Sequence, residues 1–286
     1  MQLLWEDTIG RGEIHERDYK GHAVWLDSRP VFLFRDEKRR IIGAELSGKG
    51  IEKFSPLTDR PVDSKPEHWL LVEQPPLLMV SRDLGFDLLS GRALDPIPPE
   101  YARDYQRKVT DRDMHLEYDG FNFGDHEISR RGLWGYDCRF HGEVLWSLTA
   151  QGYLYTDMVL HDDRLLFGTD GQGGHFYIVE LTSGDPVCDV NTHGTNCFVV
   201  RDGSAYVLER GKKSAVLEIS IRDGSVRDRI PIRGRATVES PLALCGDKLL
   251  FVSFGYRELP MADRSRPGRT RKLPVTEEAI LGCIRL

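Results

Sequence analysis

The sequence predicts an all-β fold: a six-bladed β-propeller of four-stranded antiparallel blades, closed by the N-terminal strand, as one domain over residues 1–286. Three observations carry this. Short β-branched or aromatic runs alternate with Gly- and Asp-rich turns along the chain. Four such runs make a unit that recurs about every 44 residues, which is the sequence form of one blade. The opening MQLLWEDTIG also reads like EVLWSLTAQG, the fourth strand of an internal unit, whereas the last unit stops without a fourth strand. An N-terminal strand that supplies it would leave no free sheet edge at the seam.

The clearest unit is 156–190, with strands over Met158–His161, Leu165–Gly168, His175–Leu181 and Pro186–Val190 and turns at Asp162-Asp163 and Ser183-Gly184-Asp185. Units of the same form occupy 195–232 and 21–56. The unit at 113–149 is read as MHLEY, FNFG, a long turn DHEISRRG, LWGYDCRF and VLWSLT. A weaker copy starts at His68 with WLLVE, LLMVS and FDLLS, its fourth strand unclear. The last copy runs from Glu239 through PLALC and LLFVSFG, a long polar insert, and AILGCIRL. A seventh blade would have to lie in 90–112, where DPIPPEYARDYQRK is too proline-rich and charged for strands. Residues 99–109 instead suit a short helix with proline at its start.

Hydrophobic residues at 40% and charged residues at 29% supply a core and exclude a disordered chain. The 28 glycines and 15 prolines suit a turn-rich fold. A net charge of −6 argues against nucleic acid, and no apolar run approaches the roughly 18 residues of a membrane span. The acidic start, without a basic leader, points to the cytoplasm. Cys138, Cys188, Cys197, Cys245 and Cys283 are odd in number and form no CxxC pair, which predicts free, mostly buried thiols rather than a metal site.

The 156–190 unit resembles the repeats of the quinoprotein-like (pyrroloquinoline-quinone-type, WD40-like) β-propeller superfamily. The resemblance rests on Leu166-Phe167-Gly168-Thr169-Asp170-Gly171, on Phe176–Leu181 with Ser183-Gly184, and on Gly142–Trp146. It implies fold rather than activity. The quinone cofactor is not expected, because the chain has neither a leader nor adjacent cysteines. The docking tryptophan of such repeats is replaced in most copies, by Phe54, Cys188 or Arg227.

Neither a nucleophile elbow, nor HExxH, a P-loop or a dinucleotide fingerprint occurs. The glycine run 168–174 lies between strands rather than before a helix, and so reads as a turn. Two groups of residues remain as site candidates. The first residues of the innermost strands, His22, His68, Asp113, Asp157, Asn196 and Glu239-Ser240, converge on the mouth of a central channel, where they suit acid–base or metal chemistry. The second group sits in long loops on one face: 92–112, 125–132 and 258–278. Asp125, His126, Glu127, Arg130 and Arg131 in the second of them, with Arg257, Arg264, Arg266, Arg269, Arg271 and Lys272 of the basic tract 257–272, form a partner-binding surface. The leading expectation is a non-catalytic cytoplasmic scaffold that binds a protein, one with an acidic surface, through these loops. It has no cofactor, metal, nucleic acid or membrane. Within that class, a bacterial immunity or accessory factor suits a small acidic chain. The alternative is a propeller lyase or hydrolase with its site at the channel mouth.

Overall fold

The computed structural model describes residues 1–26, 29–115, 120–171, 173–262 and 270–286, with the side chains of 108–115, 261–262 and 270–271 left aside. The chain is mostly strand and falls into two compact units. One comprises residues 2–102 and 232–286, the other Met1 and residues 103–231.

The first unit holds three antiparallel sheets. Strand β1 (Gln2–Arg11) precedes a sheet of β2 (His22–Leu26), β3 (Arg29–Arg35), β4 (Ile41–Ser47) and β5 (Gly50–Pro56), paired in chain order. Strands β6 (Leu70–Val72), β7 (Leu77–Ser81) and β8 (Leu84–Asp87) form a three-stranded sheet. Its fourth position is a stub. Phe86 makes a single bridge to Ala93, the Asp87 N–H donates to the Arg92 carbonyl at 2.9 Å, and the Leu94 N–H donates to the Gly85 carbonyl at 2.9 Å. Pro96, Pro98 and Pro99 follow and cannot extend a ladder. Helix α1 then runs over Pro99–His115, longer than the sequence suggests.

The second unit holds the remaining middle of the chain. Strands β9 (Gly120–Phe123), β10 (His126–Arg131), β11 (Gly135–Phe140) and β12 (Glu143–Thr149) pair in order. A five-stranded sheet contains β13 (Tyr153–Leu154), β14 (Val159–His161), β15 (Arg164–Asp170), β16 (His175–Glu180) and β17 (Pro186–Asn191), with β13 and β14 both on β15. Strands β18 (Phe198–Arg201), β19 (Ser204–Glu209), β20 (Ala215–Ser220) and β21 (Val226–Pro231) complete it. Back in the first unit, β22 (Leu242–Cys245), β23 (Lys248–Ala262) and β24 (Thr270–Arg285) form a sheet whose outer strand is β1. Trp5 pairs with Cys283 and Thr8 with Ile280, so the N-terminus does supply the strand that the last copy lacks.

Middle strands are continuous apolar runs because each is buried on both faces. Leu165, Phe167, Tyr177 and Val179 point into a core shared with β9–β12. Their neighbours Leu166, Phe176 and Ile178 point into a core shared with β18–β21. In the other unit, one core lies between β2–β5 and the sheet of β1, and a second lies between β2–β5 and β6–β8.

A repeated irregularity marks five outer strands. Each has an extra, unpaired residue at the same place, namely Leu4, Glu52, Leu145, Val187 and Arg227, and β1 has a second at Ile9. Such bulges twist an edge away from further pairing. The next residue is Trp5, Lys53, Trp146, Cys188 or Asp228. The register therefore puts Lys53 and Asp228, rather than Phe54 and Arg227, at the docking-tryptophan position. The two tryptophans act alike. The Trp146 indole donates to the Leu181 carbonyl at 2.7 Å, and the Trp5 indole donates to the Ser47 carbonyl at 3.1 Å. Gly184, with φ +77°, lies against Trp146, where a Cβ would meet the indole at 2.6 Å.

Three expectations need correction. The innermost strand of the 113–149 unit is β9, and Asp113 belongs to α1 instead. The segment read as the long turn 125–132 is mostly strand β10, which carries His126, Glu127, Arg130 and Arg131, while Asp125 stays in the turn before it. A single apolar side chain, Ile128, anchors β10 in the core, so the strand lacks an alternating pattern. The insert 258–278 is, where described, a two-stranded extension of β23 and β24. Its charged and proline residues hid the pairing.

Candidate functional site

Two short 3-10 turns, Glu16–Tyr19 and Pro66–His68, lie just before β2 and β6 and build a polar network in the first unit. Glu239, only 9% exposed, sits in a turn closed by Thr237 and Ser240. Its carboxylate accepts from Arg17 Nε at 2.9 Å and from Lys20 Nζ at 3.5 Å. Lys20 also lies 3.7 Å from Glu67, and Glu67 lies 3.4 Å from His68 Nε2. His22 Nε2 is 2.8 Å from the Pro66 carbonyl and acts as the donor, since a carbonyl only accepts. The His22 ring also stacks near Trp69.

His22, His68 and Glu239 are thus brought into one neighbourhood. Asp157 and Asn196 belong to the other unit and precede β14 and β18, and Asp113 lies on α1. Sequence reading missed Arg17, Lys20 and Glu67, because these residues sit in crossovers whose spacing no repeat fixes. The network is an alternation of carboxylates and cations, which holds the crossovers together. Among the described residues, no group of three or more His, Cys, Asp or Glu side chains is placed to hold a metal ion.

The basic insert stands on a well-anchored base. The Glu16 carboxylate accepts from Tyr256 Oη at 2.6 Å and from Thr276 Oγ1 at 2.7 Å. Burial, then the hydrogen bond and charge of Glu16, push the Tyr256 phenol far up, so it remains a donor at any ordinary pH. The Arg235 guanidinium lies 5.3 Å above the Tyr256 ring. The Gly12 and Ile14 N–H groups donate to the Glu277 and Thr276 carbonyls. Beyond this base, the six pairs from Arg257↔Val275 to Ala262↔Thr270 form a two-stranded ribbon. Arg257 pairs with Glu277 at 3.2 Å and Lys272 with Glu258 at 2.9 Å, all four well exposed. Arg264, Arg266 and Arg269 lie outside the described residues, as does the Arg271 side chain. Pro260 and Pro274, one on each ribbon strand, remove ladder donors, which suits edges that do not recruit further strands.

In the second unit, His126 packs on Phe140 with ring centres 4.9 Å apart, and Arg131 pairs with Asp137 at 2.9 Å. Arg130 donates to the Gly132 and Leu133 carbonyls and so braces the β10–β11 turn. A His175–Asp189 contact of 2.5 Å on β16 and β17 escaped the sequence reading. The His175 backbone N–H donates to Thr169 Oγ1, and the His175 ring stacks on Tyr177 with ring centres 5.9 Å apart, so the pair is built into the sheet face.

Cys138, Cys188, Cys245 and Cys283 are buried and Cys197 is half-buried. Burial pushes the Cys138 and Cys283 thiols up to about 11 and Cys188 up to about 12, and raises Cys245. Unfolded, each ionises near the ordinary value of about 8.5. Their contribution to stability is therefore complete below about pH 8 and declines as pH rises towards 11–12. The expected result at pH 8 is that a disulfide-exchange reagent leaves these four thiols unmodified in the native chain and modifies all five in urea. Rapid native modification of the four would contradict their burial.

No family model matches the chain, and no curated protein sequence matches it. Its backbone is similar to several solved structures at low identity. For BamB from Moraxella catarrhalis the identity is 9%, covering 99% of this chain and 100% of that one, with a TM-score of 0.35. For the WD40 β-propeller domain of Doa1 the identity is 11%, covering 100% and 97%, with a TM-score of 0.45. For the dihydro-heme d1 dehydrogenase NirN the identity is 12%, covering 92% of this chain and 59% of that one, with a TM-score of 0.37.

Proposed function

We propose that the chain is a six-bladed β-propeller, closed at its seam by β1, that serves as a non-catalytic cytoplasmic scaffold and binds an acidic protein partner through the β23–β24 ribbon. The closure reading rests on equivalence. Trp5 touches the β4–β5 turn through the same indole-to-carbonyl bond by which Trp146 touches the β16–β17 turn, so the seam between last and first sheets repeats an internal sheet-to-sheet joint. Free buried thiols suit a reducing compartment.

The observation that carries the binding reading is the ribbon itself. A two-stranded hairpin alone is marginally stable in water. This one extends beyond its sheet on a base held by Glu16, Tyr256 and Thr276. Arginine pairs bidentately with carboxylates and stacks on aromatic rings, so the arginine-rich sequence of this insert suits an acidic surface. The test starts with capture of a partner from the native host, followed by affinity measurement against the purified chain. Affinity is expected to fall as salt rises, because exposed charges are screened over about 8 Å at physiological ionic strength. Reversal of Arg264, Arg266, Arg269 and Arg271 to Glu is expected to weaken binding at least about tenfold, with the melting temperature kept. Unchanged affinity in the four-fold variant would move the contact elsewhere.

A further inference from the structure

The β10–β11 turn carries a feature that the ribbon reading does not use. Arg131, Leu133, Trp134, Gly135 and Thr149 line an open hollow of about 250 Å³ where the start of β11 meets the end of β12. Leu133 is 60% exposed, a high value for a large apolar side chain, and Trp134 is half-buried beside it. Arg131 engages Asp137 through Nε at 2.9 Å, on a side chain that is 54% exposed and whose guanidinium carries further N–H donors besides that one. Asp137 accepts from Ser147 Oγ as well, at 2.7 Å, so the carboxylate that orients Arg131 is itself fixed. Arg130 holds the turn from the other side through two backbone carbonyls. The hollow is therefore pre-formed, with an apolar wall and a cationic rim.

Its size narrows the occupant. Small-molecule sites usually measure about 300–1,000 Å³, so this hollow suits a single residue better than a cofactor. Arginine and tryptophan are also the residue types that most often carry binding energy at interfaces. Arg131 and the Leu133–Trp134 wall line the same small hollow, so the occupant that fits it is one residue supplying both a carboxylate and an apolar side chain. A chain-terminal apolar residue does this. An internal Asp or Glu supplies the carboxylate alone.

We propose that this hollow binds the free C-terminus of a partner polypeptide ending in an apolar residue, its carboxylate on the Arg131 guanidinium and its side chain against Leu133 and Trp134. The site belongs to the unit without the ribbon and stands or falls separately from the ribbon reading. The test uses the whole chain and three probes: acetyl-Gly-Ser-Gly-Leu as the free acid, the same peptide as its amide, and acetyl-Gly-Ser-Gly-Asp amide. The readout is the Trp134 indole N–H resonance, assigned with Trp134→Phe. The free acid is expected to shift that resonance saturably. The amide is expected to bind at least about tenfold more weakly, the loss of one charge-assisted bond. Arg131→Gln should abolish the difference between acid and amide, and Leu133→Ser should weaken both, each with an unchanged melting temperature. Three results overturn the proposal: equal binding of acid and amide, equal binding of the aspartyl amide, or no saturable shift with the free acid at about 10 mM.

Discussion

Removal of residues 1–9 is expected to leave a chain that melts at least about 10 °C lower, or that does not fold at all. Strand β1 pairs with β24 from Gln2↔Arg285 to Arg11↔Glu278, and its Trp5 and Ile9 lie in the core shared with β2–β5. Loss of a buried tryptophan side chain costs about 3–5 kcal/mol, and of a buried isoleucine about 2–5 kcal/mol. The sum is comparable to the whole stability of an ordinary domain, about 5–15 kcal/mol. Deletion also strips the outer edge of β24 and exposes its ladder to aggregation. The point variant Trp5→Ala isolates the joint to Ser47 and is expected to cost the tryptophan's share alone. Urea unfolding of the three chains measures this directly. A truncated chain with the melting temperature of the full one would end the closure reading.

The pairing of β1 with β24 was legible in the sequence because MQLLWED and EVLWSLT share the same bulge and the same tryptophan after it. The 156–190 unit was legible for a related reason: its turns are punctuated by Gly and Asp, and its middle strands face two cores. Legibility failed where a strand meets little apolar surface. Strand β10 carries only Ile128 inward, and the ribbon beyond Tyr256 breaks its few apolar residues with charges and prolines, so hydrophobic periodicity had little to register. The candidate site divided in the same way. His22, His68 and Glu239 were found by the spacing of the sequence repeat. Their partners Arg17, Lys20 and Glu67 come from irregular crossovers whose shape depends on packing between sheets.

The same crossover also holds a buried ion pair. Asp18, in the turn Glu16–Tyr19, and Arg35, at the end of β3, are both buried. Asp18 accepts from Arg35 Nε at 2.9 Å and also from Nη2. Arg35 Nη1 donates to the carbonyls of Val62, Asp63 and Ser64 at 3.1, 2.7 and 3.2 Å. One guanidinium thus ties the first crossover to the second. Asp18→Ala leaves that cation buried without a counter-charge, and such a loss typically costs about 3–5 kcal/mol. Removing both charges is a different matter, because a buried pair barely outweighs its desolvation. Asp18→Ala with Arg35→Met is therefore expected to recover part of the loss in urea unfolding, which marks the penalty as the orphaned charge rather than lost packing. The single variant should also reach the ribbon. Asp18 fixes the turn that presents Glu16 to Tyr256 and Thr276, so hydrogen exchange at Tyr256 and Thr276 should speed up in Asp18→Ala more than at strands of the other unit such as β19. A loss below about 1 kcal/mol in Asp18→Ala would place the pair among surface-like bridges of little weight. Slow exchange retained at the ribbon base would show that Glu16 is held independently of Asp18.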